Sequence, residues 1–147
     1  MAKEMKECFS VFSVGAVKRT SDETIITVMD SYREALMGLE GFSHIVVLCW
    51  FHQSDTPEGR ATLKVHPRNN PENPITGVFA TRSPLRPNPI AIFTCKILRI
   101  EGNRIVIDLI DAFDGTPVID IKPCITDLDF AADIKIPDWA RRQREEK

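Results

Sequence analysis

The sequence predicts a mainly β fold, a barrel or sandwich with short peripheral helices. Two observations carry this prediction. Short runs rich in Val, Ile, Thr and Phe recur along the chain, bounded by Gly, Pro, Asn and Asp, and little of it reads as helix. With 147 residues and 43% hydrophobic content, the chain is long enough for one domain with a real core.

The elements follow in order. Cys8 to Val17 reads as the first strand and Glu23 to Val28 as its hairpin partner. Ser31-Tyr32-Arg33-Glu34 has the capping-box pattern, Ser with Glu three residues on, and starts a short helix. Ala35, Leu36 and Leu39 supply its apolar face; Gly38 and Gly41 limit its length. His44 to Phe51 is a continuous apolar run suited to a strand buried on both sides. Ala61 to His66 is a further strand candidate. Residues 67 to 76 hold Pro67, Pro71 and Pro74 among Asn69, Asn70 and Asn73, a long loop of the kind that is functional or mobile in small domains. Ile90 to Ile100 is a long strand, Gly102-Asn103 centres a tight turn, and Arg104 to Ile110 returns. Asp114-Gly115-Thr116-Pro117 makes a second turn before a strand over Val118 to Ile121. A short helix starts at Pro137, and Arg141 to Lys147 forms a charged tail.

No segment has the apolar length that spans a bilayer, and no apolar signal core follows Met1 to Glu7, so a cytoplasmic protein is expected. Cys8, Cys49, Cys95 and Cys124 form no Cys-x-x-Cys pair, and His44, His52 and His66 lack zinc-ligand spacing, so no metal is expected. The net charge is −2, but its distribution is uneven. Between residues 60 and 88 stand Arg60, Lys64, Arg68, Arg82 and Arg86 against Glu72. Between 108 and 138 stand eight aspartates against Lys122 and Lys135. A cationic stretch suits phosphate, and an acidic one suits a cation or ribose hydroxyls; the two blocks also attract each other.

Residues 76 to 90 are the most informative run: Thr-Gly-Val-Phe-Ala-Thr-Arg-Ser-Pro-Leu-Arg-Pro-Asn-Pro-Ile. Pro84, Pro87 and Pro89 stiffen a segment that carries Arg82 and Arg86. A restrained loop loses little entropy on gripping a ligand, and a guanidinium fork suits carboxylate or phosphate. The run is a pre-organised anion site or a proline-rich connector.

This run resembles the signature of the TsaA-like (TrmO) family. Gly38 to Ile45, Trp50-Phe51-His52-Gln53, Val65-His66-Pro67-Arg68 and Asp111 to Pro123 agree with it in order and spacing, over roughly residues 12 to 125. The resemblance implies a single-sheeted β-barrel, a homodimer, and S-adenosylmethionine-dependent methylation of tRNA on the exocyclic nitrogen of threonylcarbamoyl-adenosine beside the anticodon. It implies cofactor contacts from His52, Gln53, Arg82, Ile92, Asp108, Leu109, Ile110 and Asp111. Arg82 would hold the cofactor carboxylate or pair with the acidic block. Asp111 would take ribose hydroxyls or the ammonium, or bond its own turn. Gln53 offers donor and acceptor to an adenine edge, or is a solvated amide. His52 is a ligand or a structural histidine. Arg86, Asn88 and Lys122 match featured positions. Arg86 is placed near substrate phosphate or the threonyl carboxylate, Asn88 there or closing its own loop, and Lys122 there or paired with Asp120. Arg60, Lys64 and Arg68 are the candidates for tRNA phosphates. Asp111, Asp114 and His52 are candidate bases, as is the substrate's own carboxylate.

The chain departs from the family pattern at three places: Ala91-Ile92-Phe93 after Ile90, Cys124 after Lys122-Pro123, and Val17 to Asp22, which lacks a Pro-Arg-Gln cofactor stretch. That last departure motivates an alternative, a non-catalytic barrel binding S-adenosylmethionine or a nucleotide as a sensor. A third reading is an RNA-binding or scaffolding barrel without a small ligand.

Overall fold

The computed structural model describes residues 4, 6–126 and 131–141. Asp127, Asp129 and the charged tail beyond Arg141 lie outside them. Among the described residues eight strands form: β1 (Gly15–Arg19), β2 (Thr24–Val28), β3 (His44–Trp50), β4 (Lys64–Val65), β5 (Thr76–Gly77), β6 (Ile90–Glu101), β7 (Arg104–Ile107) and β8 (Pro117–Pro123). One short helix, α1 (Pro57–Ala61), lies between β3 and β4.

Six strands pair in the order β1-β2-β7-β6-β3-β8, a closed barrel, while β4 and β5 make a separate two-stranded ribbon. Every adjacent pair is antiparallel. The closing ladder between β1 and β8 is short, pairing Gly15 with Val118 and Ala16 with Pro117. Glycine is required there, because a Cβ on Gly15 would stand 2.3 Å from the Thr27 carbonyl oxygen. Val17, Ile26, Ile45, Val47, Cys49, Cys95, Ile105, Ile107 and Val118 fill the interior.

Several elements differ from the sequence expectation. The first strand begins at Gly15 rather than Cys8; Phe9, Val11 and Phe12 are exposed and have no ladder partner. Asp30 to Leu36 forms a tighter 3-10 helix with Ser31 inside it, so no capping box forms and Met29 stands at its start without a side-chain cap. Over Ala61 to His66 only Lys64–Val65 is strand; Ala61 ends α1, started by Thr56, whose hydroxyl accepts the Gly59 N–H at 3.0 Å. β7 stops at Ile107. Past it the parity shifts: Asp108 and Leu109 are both exposed, the Asp108 N–H still donates to the Lys96 carbonyl at 3.1 Å, and then Ile110 and Ala112 are buried while Asp111 and Phe113 are exposed. The loop after residue 66 contains a 3-10 turn, with Arg68 and Asn69 at positive φ. At the C-terminal end, the turn is a 3-10 helix over Asp138–Ala140.

Candidate functional site

A cleft of about 1310 Å³ opens on the outer face of the closed sheet. Strand parity fixes its floor. Cys49, Ala91 and Cys95 face the core, so Ile90, Ile92 and Thr94 of β6 and Val46 of β3 face outward, and these four line the cleft. Its walls are the turn His52–Ser54, the proline loop and the segment from Leu109 to Phe113.

Seven residues expected around the cofactor meet there: His52, Gln53, Arg82, Ile92, Leu109, Ile110 and Asp111. Asp108, the eighth, does not line the cleft; its carboxylate accepts the Lys96 N–H at 2.9 Å and ties β7 to β6. Asp111 projects outward because Ile110 and Ala112, its neighbours, are pinned in the core. Among the described residues, the side chains of His52, Gln53, Arg82 and Asp111 have no hydrogen-bond or ion-pair partner in the protein.

The two signature arginines differ. The Arg86 guanidinium donates to the carbonyls of Thr81 and Ser83, each at 3.1 Å, and of Val78 at 3.0 Å. It therefore clamps its own loop while also lining the cleft, beside the position where the sequence places it near substrate. Val78 anchors that loop in the core, and the Pro89 carbonyl accepts the Phe51 N–H at 2.7 Å. On this held loop Arg82 is exposed in the cleft with its fork free.

Other expected substrate residues are engaged elsewhere. Arg60 pairs with Asp55 at 2.6 Å. Arg68 donates to the carbonyls of Ala140 at 3.1 Å and Arg141 at 3.3 Å, fastening the C-terminal turn to the 67–70 loop. Lys122 pairs with Asp120 at 2.9 Å, and this bond raises the ammonium above its ordinary pKa. Asn88 is exposed outside the cleft lining, and its carbonyl accepts the Ile90 N–H at 2.7 Å. Lys64 is exposed on the ribbon, away from the cleft. The carboxylate of Asp114 accepts the Arg19 N–H at 2.8 Å, and Asp114 lines no part of the cleft. His52 and Asp111 are the base candidates that do.

Sequence reading missed Arg19 and Ile134, both in the cleft wall. Arg19 stands in the stretch that lacks the expected cofactor motif, and its guanidinium donates to the Ala112 carbonyl at 2.9 Å. Strand parity gave no signal for it: Arg19 lies two residues after inward-facing Val17, whereas the cleft floor is built from outward residues. Ile134 gave none either.

A closed strand barrel with free guanidinium, carboxylate and amide groups over an apolar floor defines a protein that binds a polar small molecule. The chain belongs to the tRNA-methyltransferase O N-terminal domain family, whose profile matches residues 9–130. It is 54% identical over 116 residues to a probable S-adenosyl-L-methionine-binding protein of Pyrococcus horikoshii, covering 79% of this chain and 82% of that protein. It is 39% identical over 109 residues to a tRNA (adenine(37)-N6)-methyltransferase of Mus musculus, covering 74% of this chain and 25% of that one. A crystal structure of TrmO from P. aeruginosa matches with a TM-score of 0.71 at 27% identity, covering 93% of this chain and 64% of that chain. The chain thus spans under two thirds of the solved TrmO structure and a quarter of the mouse enzyme.

Proposed function

We propose that this protein is an S-adenosylmethionine-dependent methyltransferase acting on the exocyclic nitrogen of threonylcarbamoyl-adenosine next to the anticodon of tRNA. One observation carries the reading: seven residues from four separate segments converge on one cleft, and the polar ends of His52, Gln53, Arg82 and Asp111 are unspent. The residues present fit the cofactor. The free Arg82 fork suits its carboxylate, Asp111 its ammonium or ribose hydroxyls, and Gln53 an adenine edge. Ile92, Leu109 and Ile110 offer apolar contact. The cleft exceeds the usual small-ligand range of about 300–1,000 Å³, leaving room for cofactor and a nucleoside together.

When bound, S-adenosylmethionine supplies a methyl group on sulfonium, a good leaving group. The protein's part is then to align the substrate nitrogen and exclude water. His52 and Asp111 are the groups within the cleft suited to take the proton from that nitrogen. Arg19 adds a cation to the wall beside Arg82 and Arg86, suited to the threonyl carboxylate or a phosphate. Leu109 and Phe113, 75% and 65% exposed on the wall, are apolar surface that a base or a second copy of the chain would cover, in keeping with a homodimer.

The test is a methyl-transfer assay. Purified protein, S-adenosylmethionine and tRNA bearing threonylcarbamoyl-adenosine are incubated, digested to nucleosides and weighed by mass spectrometry. One added methyl on that nucleoside, absent from unmodified tRNA, is the expected result. Cofactor binding without transfer would favour the sensor reading.

A further inference from the structure

Trp50, Asp55, Arg60 and Pro87 form a cluster that no part of the methyl-transfer reading uses. Trp50 ends β3, and Asp55 follows the 3-10 turn that holds His52 and Gln53. The Trp50 indole N–H donates to Asp55 Oδ2 at 3.0 Å, tying together the two ends of that turn. Arg60 of α1 donates its Nε–H to Asp55 Oδ1 at 2.6 Å and an Nη2–H to Oδ2 at 3.4 Å. Its guanidinium lies over the Trp50 ring, 5.4 Å from the centroid. Its Nη1 donates to the Pro87 carbonyl of the proline loop at 3.3 Å. A single guanidinium thus joins both walls of the cleft, the one bearing His52 and Gln53 and the one bearing Arg82.

We propose that Asp55 and Arg60 are positioning residues that set the gap between the His52–Gln53 turn and the Arg82 loop, and so set cofactor affinity. This rests on the reading of the cleft as the cofactor site. The cluster's exposure separates this role from mere stability. The side chains of Arg60 and Asp55 are 41% and 33% exposed, and ion pairs this open add little to folding. Geometry is another matter, since a ligand clamp not held in its bound arrangement loses affinity to the cost of ordering it. Only arginine can serve all three contacts here. Lysine keeps the charge but has no planar fork to hold Asp55, stack on Trp50 and reach Pro87 together.

The alternative role for Arg60, a tRNA phosphate contact, makes opposite predictions. A phosphate contact acts only when tRNA is present, and removing the nearby acid would help it. Asp55→Asn therefore discriminates. S-adenosylmethionine binding is measured by calorimetry without tRNA for the wild type, Asp55→Asn and Arg60→Lys, with melting temperatures recorded alongside. Both variants should lose about tenfold in affinity while melting close to the wild type. In turnover, KM for the cofactor should rise with kcat nearly unchanged at saturation. Unchanged cofactor affinity in both variants overturns the proposal. So does an affinity loss that tracks a large fall in melting temperature, which would make the cluster a support of the whole fold. Absence of cofactor binding by the wild type would instead overturn the functional reading beneath it.

Discussion

Arg82 and Arg86 lie four residues apart in one loop, and their replacement by alanine should have opposite consequences. Arg86 donates three hydrogen bonds to backbone carbonyls at 3.0–3.1 Å. The Val78 carbonyl keeps another donor without it, the Thr81 hydroxyl at 2.9 Å. The loss falls mainly on the Thr81 and Ser83 carbonyls. At about 1–3 kcal/mol for each acceptor stranded in a half-buried site, Arg86→Ala should cost about 3 kcal/mol. In a domain of this size that lowers the melting temperature by roughly 6–12 °C. Arg82 has no partner among the described residues, so Arg82→Ala should change stability by under about 0.5 kcal/mol. Its cost falls on the ligand: losing a charge-assisted fork to a carboxylate is worth about 3 kcal/mol, on the order of 150-fold in affinity.

Thermal unfolding by circular dichroism gives the first quantity and calorimetric titration of S-adenosylmethionine the second. The expected pattern is a stable Arg82→Ala that fails to bind and an unstable Arg86→Ala. An Arg86→Ala that melts like wild type, or an Arg82→Ala that binds normally, would refute the division of labour between them.

Gly15→Ala should destabilise the protein by about 2 kcal/mol or more in urea titration, because the new Cβ meets backbone at 2.3 Å beside the closing ladder; an unchanged midpoint would contradict that close approach. Burial raises the Cys49 and Cys95 thiols to about 12, so both stay protonated at pH 8. A disulfide-exchange reagent at that pH should label exposed Cys8 at once and these two only on unfolding; immediate labelling of either would contradict their burial. Arg68→Ala should speed amide exchange at Ala140 and Arg141 with little change in melting temperature, since it releases only the C-terminal turn; unchanged exchange would remove the fastening role.

Much of the fold was legible because strand pattern and turn chemistry agreed. β2, β3 and β6 lie where alternating or continuous apolar runs are bounded by Gly, Pro or Asn. The turn at Gly102 is a positive-φ position, and only its glycine made it predictable. The failures share a cause. Val11 and Phe12 read as strand because they are apolar and β-forming, yet no neighbouring strand edge reaches them. Ser31 and Glu34 carry the capping-box letters, but the chain leaves β2 at Met29 and turns two residues too soon. Local preference proposes an element; a hydrogen-bonding neighbour or an entry angle decides it.

The site divides along the same line. Residue types at the cleft were visible in sequence because their chemistry is carried by type: a stiff loop with arginines, an amide beside a histidine, an aspartate before a turn. Which arginine is free was not visible. Arg82 and Arg86 are chemically identical, and the difference lies in three carbonyls that the loop's own path brings around one of them. Arg60 and Arg68 make the same point, each satisfied by a partner that only the fold supplies. A count of cations therefore overstates the binding surface. Arg60, Lys64 and Arg68 suggested a phosphate track, but two of the three are already engaged, and tRNA held by so few free charges should bind weakly and with a shallow dependence on salt. Under the proposed function, recognition would then fall on the cleft itself, where Arg82 is assigned to the cofactor carboxylate and Arg19 to the threonyl carboxylate. On this view selectivity for the modified nucleoside arises from the small-molecule site rather than from the nucleic-acid backbone.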